Sequence, residues 1–509
     1  MPGRLRAPMA LALLALTGCT TVGEARIVSS RPNTALPADQ GTATPTTPTT
    51  GGSNADPPDA STDDAPTDTA STDTASSALV DIALDAVMDL GGIAPITDDD
   101  ALLAAATADV DRWAHETLRD VFGLDDAMLA GGIHAGHPDR DDPIPGCGED
   151  ETDYRDLTEY VALYCRGDDF IAFDAGAAGL LGSLVAEHGP LTVAVVIAHE
   201  YGHAIQDRIG ALDRRLPTVV TEQQADCLAG AWLGQTAAGG STLVRTGTDA
   251  VRAGLIALIN VRDPIGIATM TPGGHGTAFD RVGAFQEGFA GGAAACAPLV
   301  DEPRDLMPNE FTSLDDYLRA GNAPYDCADD PDPECAPSWE FLGADLDEFW
   351  SLALGRAVAL TPAPVVGDIA AGCADATVID AVIAVCADDG TVRFDERAIR
   401  PLYDEVGDFT LGYLLGAAWV EHAIGPTVRD EDDTVRTLRR DCFTGVWVAD
   451  ITTGLRRDPR RASTVVTSPG DLDEAITTLI TLDDSTGPDA FDRIAAFRAG
   501  VLDGPDACA

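Results

Sequence analysis

The chain has 509 residues, with 84 Asp and Glu against 32 basic residues, every one of them Arg, and a formal charge of −52. That length exceeds one ordinary core and implies two or three folded units with tails. So acidic a surface repels phosphate backbones and anionic headgroups, which excludes nucleic acid as a partner; beyond that, a genomic bias or a salty habitat produces the same charge.

At the N-terminus, Arg4 and Arg6 precede a short apolar stretch from Pro8 to Leu16, followed by Thr17-Gly18-Cys19. The stretch is too short to span a bilayer as a mature helix and reads as an export signal over residues 1–19. Its end resembles the lipobox of bacterial lipoproteins, which implies lipidation at Cys19 and an extracytoplasmic protein anchored to the cell membrane. An ordinary cleaved signal with a chance cysteine is the alternative. Export implies an oxidising compartment. Setting Cys19 aside leaves ten of the 11 cysteines, an even number that suits five disulfides.

Residues 20–77 are dominated by Thr, Pro, Ser, Asp and Ala, with few large apolar residues. Such a segment cannot offset its ordering entropy and is expected to be a disordered tether. Folded structure is expected over 78–300 and 340–509, joined by an acidic linker, 301–339, that contains Cys327 and Cys335. No later stretch is long and apolar enough to cross a membrane; Phe409 to Val420 is expected to form a buried helix.

Within the first unit, Phe170–Asp174 reads as a strand. The run from Thr192 to Asp207 is helical in pattern, with Val193, Val196, Ile197 and Ile205 sharing a buried side. His199 and His203 are four apart, so both imidazoles project from one helical face and can bind one zinc ion. Glu200 then lies beside the metal's open position, placed to act as general base. A catalytic zinc needs a third protein ligand. The best candidate is Glu222, on a second helical run whose inner side carries Ala225, Leu228, Ala229 and Trp232. Asp226, one turn on, suits the outer N–H of a ligating histidine. Glu222 could equally be an exposed helix carboxylate in so acidic a chain. His275 reads either as a partner for a developing oxyanion or as a loop histidine among glycines. His134, His137, His115 and His188 are expected at the surface.

These residues carry a resemblance. His199-Glu-Tyr-Gly-His-Ala-Ile-Gln, Glu222-Gln-Gln-Ala-Asp-Cys-Leu-Ala-Gly and His275-Gly-Thr-Ala-Phe-Asp-Arg281 occur in that order. The pattern is similar to the bacterial neutral zinc metallopeptidases, a zincin-like family, over about residues 145–298. The resemblance implies His199, His203 and Glu222 as zinc ligands and Glu200 as base, and implies no particular substrate.

The chain also repeats itself. Phe170–Asp174 recurs as Thr391–Asp395, His203-Ala-Ile205 as His422-Ala-Ile424, and Asp226 to Trp232 as Asp441 to Trp447. Ala278 to Gly288 recurs as Ala490 to Gly500, and the match continues ungapped to Cys296 and Cys508. All four matches keep their order, which points to a tandem duplication. Correspondence between the copies suggests disulfides Cys147–Cys165, Cys227–Cys296, Cys373–Cys386 and Cys442–Cys508, leaving Cys327–Cys335 as the fifth.

Aligned on these matches, His199 becomes Ala418, Glu200 becomes Trp419, Glu222 becomes Thr437 and His275 becomes Gly487. The second copy therefore reads as a zinc-free repeat that keeps framework residues, among them Asp441 and Arg493. Its use stays open between peptide binding, covering the active copy and stabilising it. The expected fold is α+β and mostly helical, a zincin-like domain in tandem. The expected activity is hydrolysis of envelope peptides or proteins by a zinc peptidase. A non-catalytic envelope lipoprotein built of two binding modules is the rival reading.

Overall fold

The computed structural model describes residues 76–508 apart from 95, 149–153, 155–156, 158–160, 328–334, 429–430, 459–460, 462, 464 and 484–488. The export signal, Cys19 and nearly all of the expected tether lie outside the described residues, as does Gly487. The tether's last residues do not: Ser77–Ala78 (β1) pairs antiparallel with Val244–Arg245 (β5), and the Ser76 hydroxyl accepts from the Gly247 N–H. Backbone pairing thus orders the chain slightly earlier than composition predicts.

The fold is α+β and about half helical. In the first part, β2 (Gly132–Gly136), β3 (Ala162–Cys165) and β4 (Phe170–Asp174) form a sheet in the order β2-β4-β3. β2 runs parallel to β4 with Gly132 opposite Phe170, and β3 runs antiparallel with Cys165 opposite Phe170. Around it lie α1 (Asp100–Asp120), α2 (Leu180–His188), α3 (Leu191–Arg208), α4 (Thr218–Ala237), α5 (Thr248–Asn260) and α6 (Ala278–Gly291). The second part opens with α7 (Ser338–Leu354). Strands β6 (Thr361–Val365), β7 (Ala376–Ile379), β8 (Ile383–Cys386) and β9 (Thr391–Asp395) follow, then α8 (Glu396–Glu405), α9 (Phe409–Ile424), α10 (Asp433–Ile451), α11 (Asp471–Thr481) and α12 (Ala490–Asp503). Its sheet order is β6-β9-β8-β7, again with one parallel pair (β6/β9) beside an antiparallel one (β8/β9).

α3 is buried on every side from Leu191 to Gln206, not on one stripe. A helix apolar all round belongs at a centre, and α3 packs against α1, α2, α4, α5 and the β3–β4 hairpin. α4 and α6 pack closest, because Gly288 admits the α4 backbone: a Cβ there would fall 1.8 Å from the Cys227 carbonyl oxygen. Gly500 does the same for α12 against Cys442 of α10. Disulfides pin both helix pairs, Cys227–Cys296 and Cys442–Cys508. The other three bridges are Cys147–Cys165, Cys327–Cys335 and Cys373–Cys386.

One apolar core runs through both parts. Phe289 packs on Phe491 at 4.7 Å between ring centroids, and the Arg498 guanidinium lies 4.1 Å above the Phe279 ring. The Asp473 carboxylate, at the start of α11, accepts from the N–H groups of Phe279 (2.8 Å) and Ala278 (3.1 Å) at the start of α6. Phe409–Val420 is buried throughout within α9. Among the described residues no helix is long and apolar enough to cross a membrane.

Candidate metal centre

Helix geometry fixes the first two candidate ligands. His199 and His203, one turn apart on α3, face each other edge-on with ring centroids 4.8 Å apart. The antiparallel neighbour α4 presents Glu222 to both. Glu222 Oε2 lies 3.1 Å from His199 Nε2, and Oε1 lies 3.3 Å from His203 Nε2. Two ligands on one tetrahedral zinc, each bonded at 2.0–2.1 Å, sit about 3.3 Å apart. All three residues are buried, and His203 Nε2 and both Glu222 oxygens have no hydrogen-bond partner. Buried polar atoms are rarely left unpaired, so three converging on one point fit a cation there. The nitrogen and oxygen donor set suits zinc.

The opposite edges of the imidazoles are fixed. His199 Nδ1–H donates to Asp226 Oδ1 at 2.8 Å, and His203 Nδ1–H donates to Gln206 Oε1 at 2.9 Å. Each bond leaves the Nε2 lone pair for the shared point. Gln206 is oriented in turn by its donation to the Thr221 carbonyl at 2.7 Å. Arg281 of α6 donates from Nε to Asp226 Oδ2 (2.9 Å) and from Nη2 to Oδ1 (2.8 Å).

The electrostatics favour a positive charge at this point. Burial opposes charge on His199, yet Asp226 and Glu222 carry it up to about 10; His203 is also raised against burial, by Glu222. Burial opposes ionisation of Glu222, but the charges of His203 and His275 and contacts from His199 hold it well below the carboxylate range. Asp226 is lowered against its burial by Arg281 and His199. Glu200 differs: burial raises its carboxyl, with His203 and His199 pulling back only in part. Its Oε2 is buried and unpartnered. Beside Glu200 and His199, Val161, Val196, Leu258 and Arg281 help line a cavity of about 20 Å³, room for roughly one water molecule.

His275 belongs to this cluster. It is 2% exposed, and its unpartnered Nε2 lies 3.9 Å from Glu222 Oε2. Asp263 positions it, accepting from the backbone N–H groups of His275 (2.9 Å) and Gly276 (2.8 Å) and lying 3.4 Å from His275 Nδ1. Asp263 and Gln206 were not singled out in the sequence. Gln206 had a usable signal, an amide three residues past a ligand on the same helix; Asp263 sits in a loop without periodicity.

Two surface expectations fail. His134 lies on β2, is 8% exposed, and bonds Asp89 at 3.0 Å and the Gly131 carbonyl at 2.8 Å. Parallel pairing of β2 with β4 draws it inward and leaves it against the Phe170 ring. The His188 side chain, at the end of α2, is 7% exposed. His137 and His115 are partly exposed, with side chains 24% and 40% accessible.

In the second part, Asp441 keeps its arginine, Arg493, at 2.8 Å. Its other oxygen accepts from the Tyr413 hydroxyl at 2.6 Å. A phenol thus occupies this carboxylate, where in the first part Asp226 meets an imidazole. Ala418 and Trp419 are buried in α9, and the Trp419 indole donates to Asp347 at 2.8 Å.

No family model matches the chain, and no solved structure matches it significantly. The chain is similar to uncharacterized proteins of Mycobacterium tuberculosis and Mycobacterium bovis, 34% identical over 96 residues in each case. The match takes in 17% of this chain and 31% of each relative, so the chain spans under a third of the length of the curated relatives it matches.

Proposed function

We propose that the chain is a zinc-dependent peptidase of the neutral zinc metallopeptidase type. The observation that carries this reading is the convergence of His199, His203 and Glu222 on one buried point, with Glu200 on the adjoining cavity. Zinc, when bound there, would polarise a peptide carbonyl and acidify water. His199, His203 and Glu222 would hold it, with Asp226 and Gln206 keeping each imidazole in the ligating tautomer. Glu200 would take the proton from the attacking water at its free Oε2 and deliver it to the leaving amine. A carboxyl raised by burial is suited to holding that proton between the two transfers. His275 Nε2 would donate toward the carbonyl oxygen as charge develops on it.

The shared strand layout and the two disulfide-pinned helix pairs support reading residues 340–509 as a zinc-free repeat of residues 78–300. On this reading the first copy performs hydrolysis and the second supports it. Substrates would be peptides or proteins of the cell envelope, within reach of a tether anchored at Cys19.

One observation favours the rival, a non-catalytic binding lipoprotein with a structural zinc. The centre is closely covered, and His275 Nε2 is near enough to Glu222 to serve as a fourth ligand after a small shift. Four protein ligands would leave no place for water. Hydrolysis of an unstructured protein by the zinc-loaded chain, compared with its Glu200→Gln variant, separates the two. The peptidase reading expects equal zinc in both and activity at least 100-fold lower in the variant, in line with loss of a general base. Equal activity, or none in either, refutes it.

A further inference from the structure

A second group of buried acids lies in the C-terminal part. Asp408 precedes α9, while Asp471 and Glu474 sit in the first turn of α11; one carboxylate oxygen from each lies within 4.8 Å of the others. The three are 8%, 5% and 5% exposed. Each has one oxygen tied down: Asp408 Oδ2 accepts from Ala323 N–H at 3.0 Å, Asp471 Oδ2 from Ser468 N–H at 2.9 Å, and Glu474 Oε2 from Phe409 N–H at 2.8 Å. The remaining oxygens of Asp408 and Asp471, both Oδ1, are buried with no partner. Gly407, at φ +140°, leaves room for the Glu474 carboxylate: a Cβ there would fall 2.0 Å from Glu474 Cδ. Among the described residues no arginine forms an ion pair with the three; Arg262 pairs with Asp473 at 3.3 Å. Asp408 and Asp471 border a cavity of about 590 Å³ that Asp316 and Asn322 also line, which gives access to water and ions.

Three backbone-anchored carboxylates drawn to one point, two of them with a buried unpaired oxygen, fit a cation between them. The donors are all oxygen, which selects a hard ion. Three protein carboxylates around one buried point suit calcium, which accepts six to eight oxygens in flexible geometry, better than magnesium, which is usually held by one or two carboxylates and keeps several waters. We propose that Asp408, Asp471 and Glu474 bind one calcium ion, completed by water from the cavity. The assignment stands apart from the peptidase reading and holds whether or not the first part binds zinc. The ion would fasten α11 to α9 and to the segment around Ala323. Asp473, between two of the ligands, accepts from two N–H groups in the first turn of α6, just beyond His275. Calcium would therefore stiffen the element that carries part of the candidate zinc centre.

The test uses the full chain, stripped of metal on a chelating resin and then reloaded with zinc alone. Titration with calcium chloride by calorimetry should give about one ion per chain, and 1 mM calcium should raise the Tm by about 3 °C or more. The Asp471→Asn/Glu474→Gln variant should lose both responses and keep its zinc. Wild-type protein that binds no calcium and melts at the same temperature with and without it overturns the proposal, and this reading does not depend on the variant folding. Equal binding of magnesium overturns the calcium assignment. A variant more stable than calcium-free wild type, with no calcium bound by either, identifies a proton-sharing acid cluster instead.

Discussion

Arg281 grips both oxygens of Asp226, at 2.9 and 2.8 Å, and the oxygen it shares with His199 lies 2.8 Å from that imidazole. The carboxylate is held from one side and orients a candidate metal ligand on the other. Asp226→Asn keeps the shape but weakens the pull on the imidazole N–H. Zinc affinity should fall about 10- to 100-fold, as for other residues that orient a ligating histidine. Competition with a zinc-chelating dye measures it. Asp441→Asn, the corresponding change in the second part, should leave zinc affinity unchanged; an equal drop would make the effect global rather than local.

Asp473 accepts from the first two N–H groups of α6 across the boundary between the two parts. Asp473→Ala strands two N–H donors at a helix start and should destabilise the chain by about 1–2 kcal/mol. Chemical denaturation of the whole protein reports the change. Unaltered stability would mean that the contact is dispensable.

A pH effect follows from Asp280. Burial raises this carboxyl to about 6, although the Met307 N–H, Arg498 and Thr277 favour its charged form. Because the folded value exceeds the unfolded one, the protonated group contributes stability that is present below about pH 4 and is lost as pH rises through 6. Asp280→Asn should therefore gain stability relative to wild type between pH 5 and pH 7.5, as read from paired thermal melts. A difference that stays constant across that range contradicts the shift.

Cys442–Cys508 closes a loop with a sequence separation of 66 residues and pins α10 to the short turn that follows α12. Replacing both cysteines with serine should cost about 2–5 kcal/mol. Zinc content should persist, since both cysteines lie outside the candidate centre. Loss of zinc on this change would show that the centre depends on the second part far more directly than packing suggests.

Much of the candidate site could be read from spacing. His199 with His203, and Glu222 with Asp226, each lie four apart on a helix, and that period alone places each pair on one face. What spacing could not supply was contact between elements. Nothing in the sequence sets Asp263 against His275, and in a chain with 84 acids the trio Asp408, Asp471 and Glu474 has no distinguishing pattern. Burial was also underread. α3 was expected to hide one stripe, but a helix surrounded by four others and a hairpin hides every side. His134 is expected at the surface, but its place on β2, paired along β4, is a long-range contact that local sequence does not show. The internal sequence matches stand out because they include Gly288 and Gly500, which lie against neighbouring helix backbone, and the paired cysteines, where contact leaves little freedom.

X-ray absorption at the zinc edge on the purified full-length protein addresses the central claim most directly. The account predicts about one zinc per chain, bound by two imidazoles, a carboxylate oxygen and one exchangeable oxygen, with no sulfur, and loss of the metal in Glu222→Ala. A protein without zinc, or one whose zinc is closed off by three imidazoles and Glu222, would contradict it.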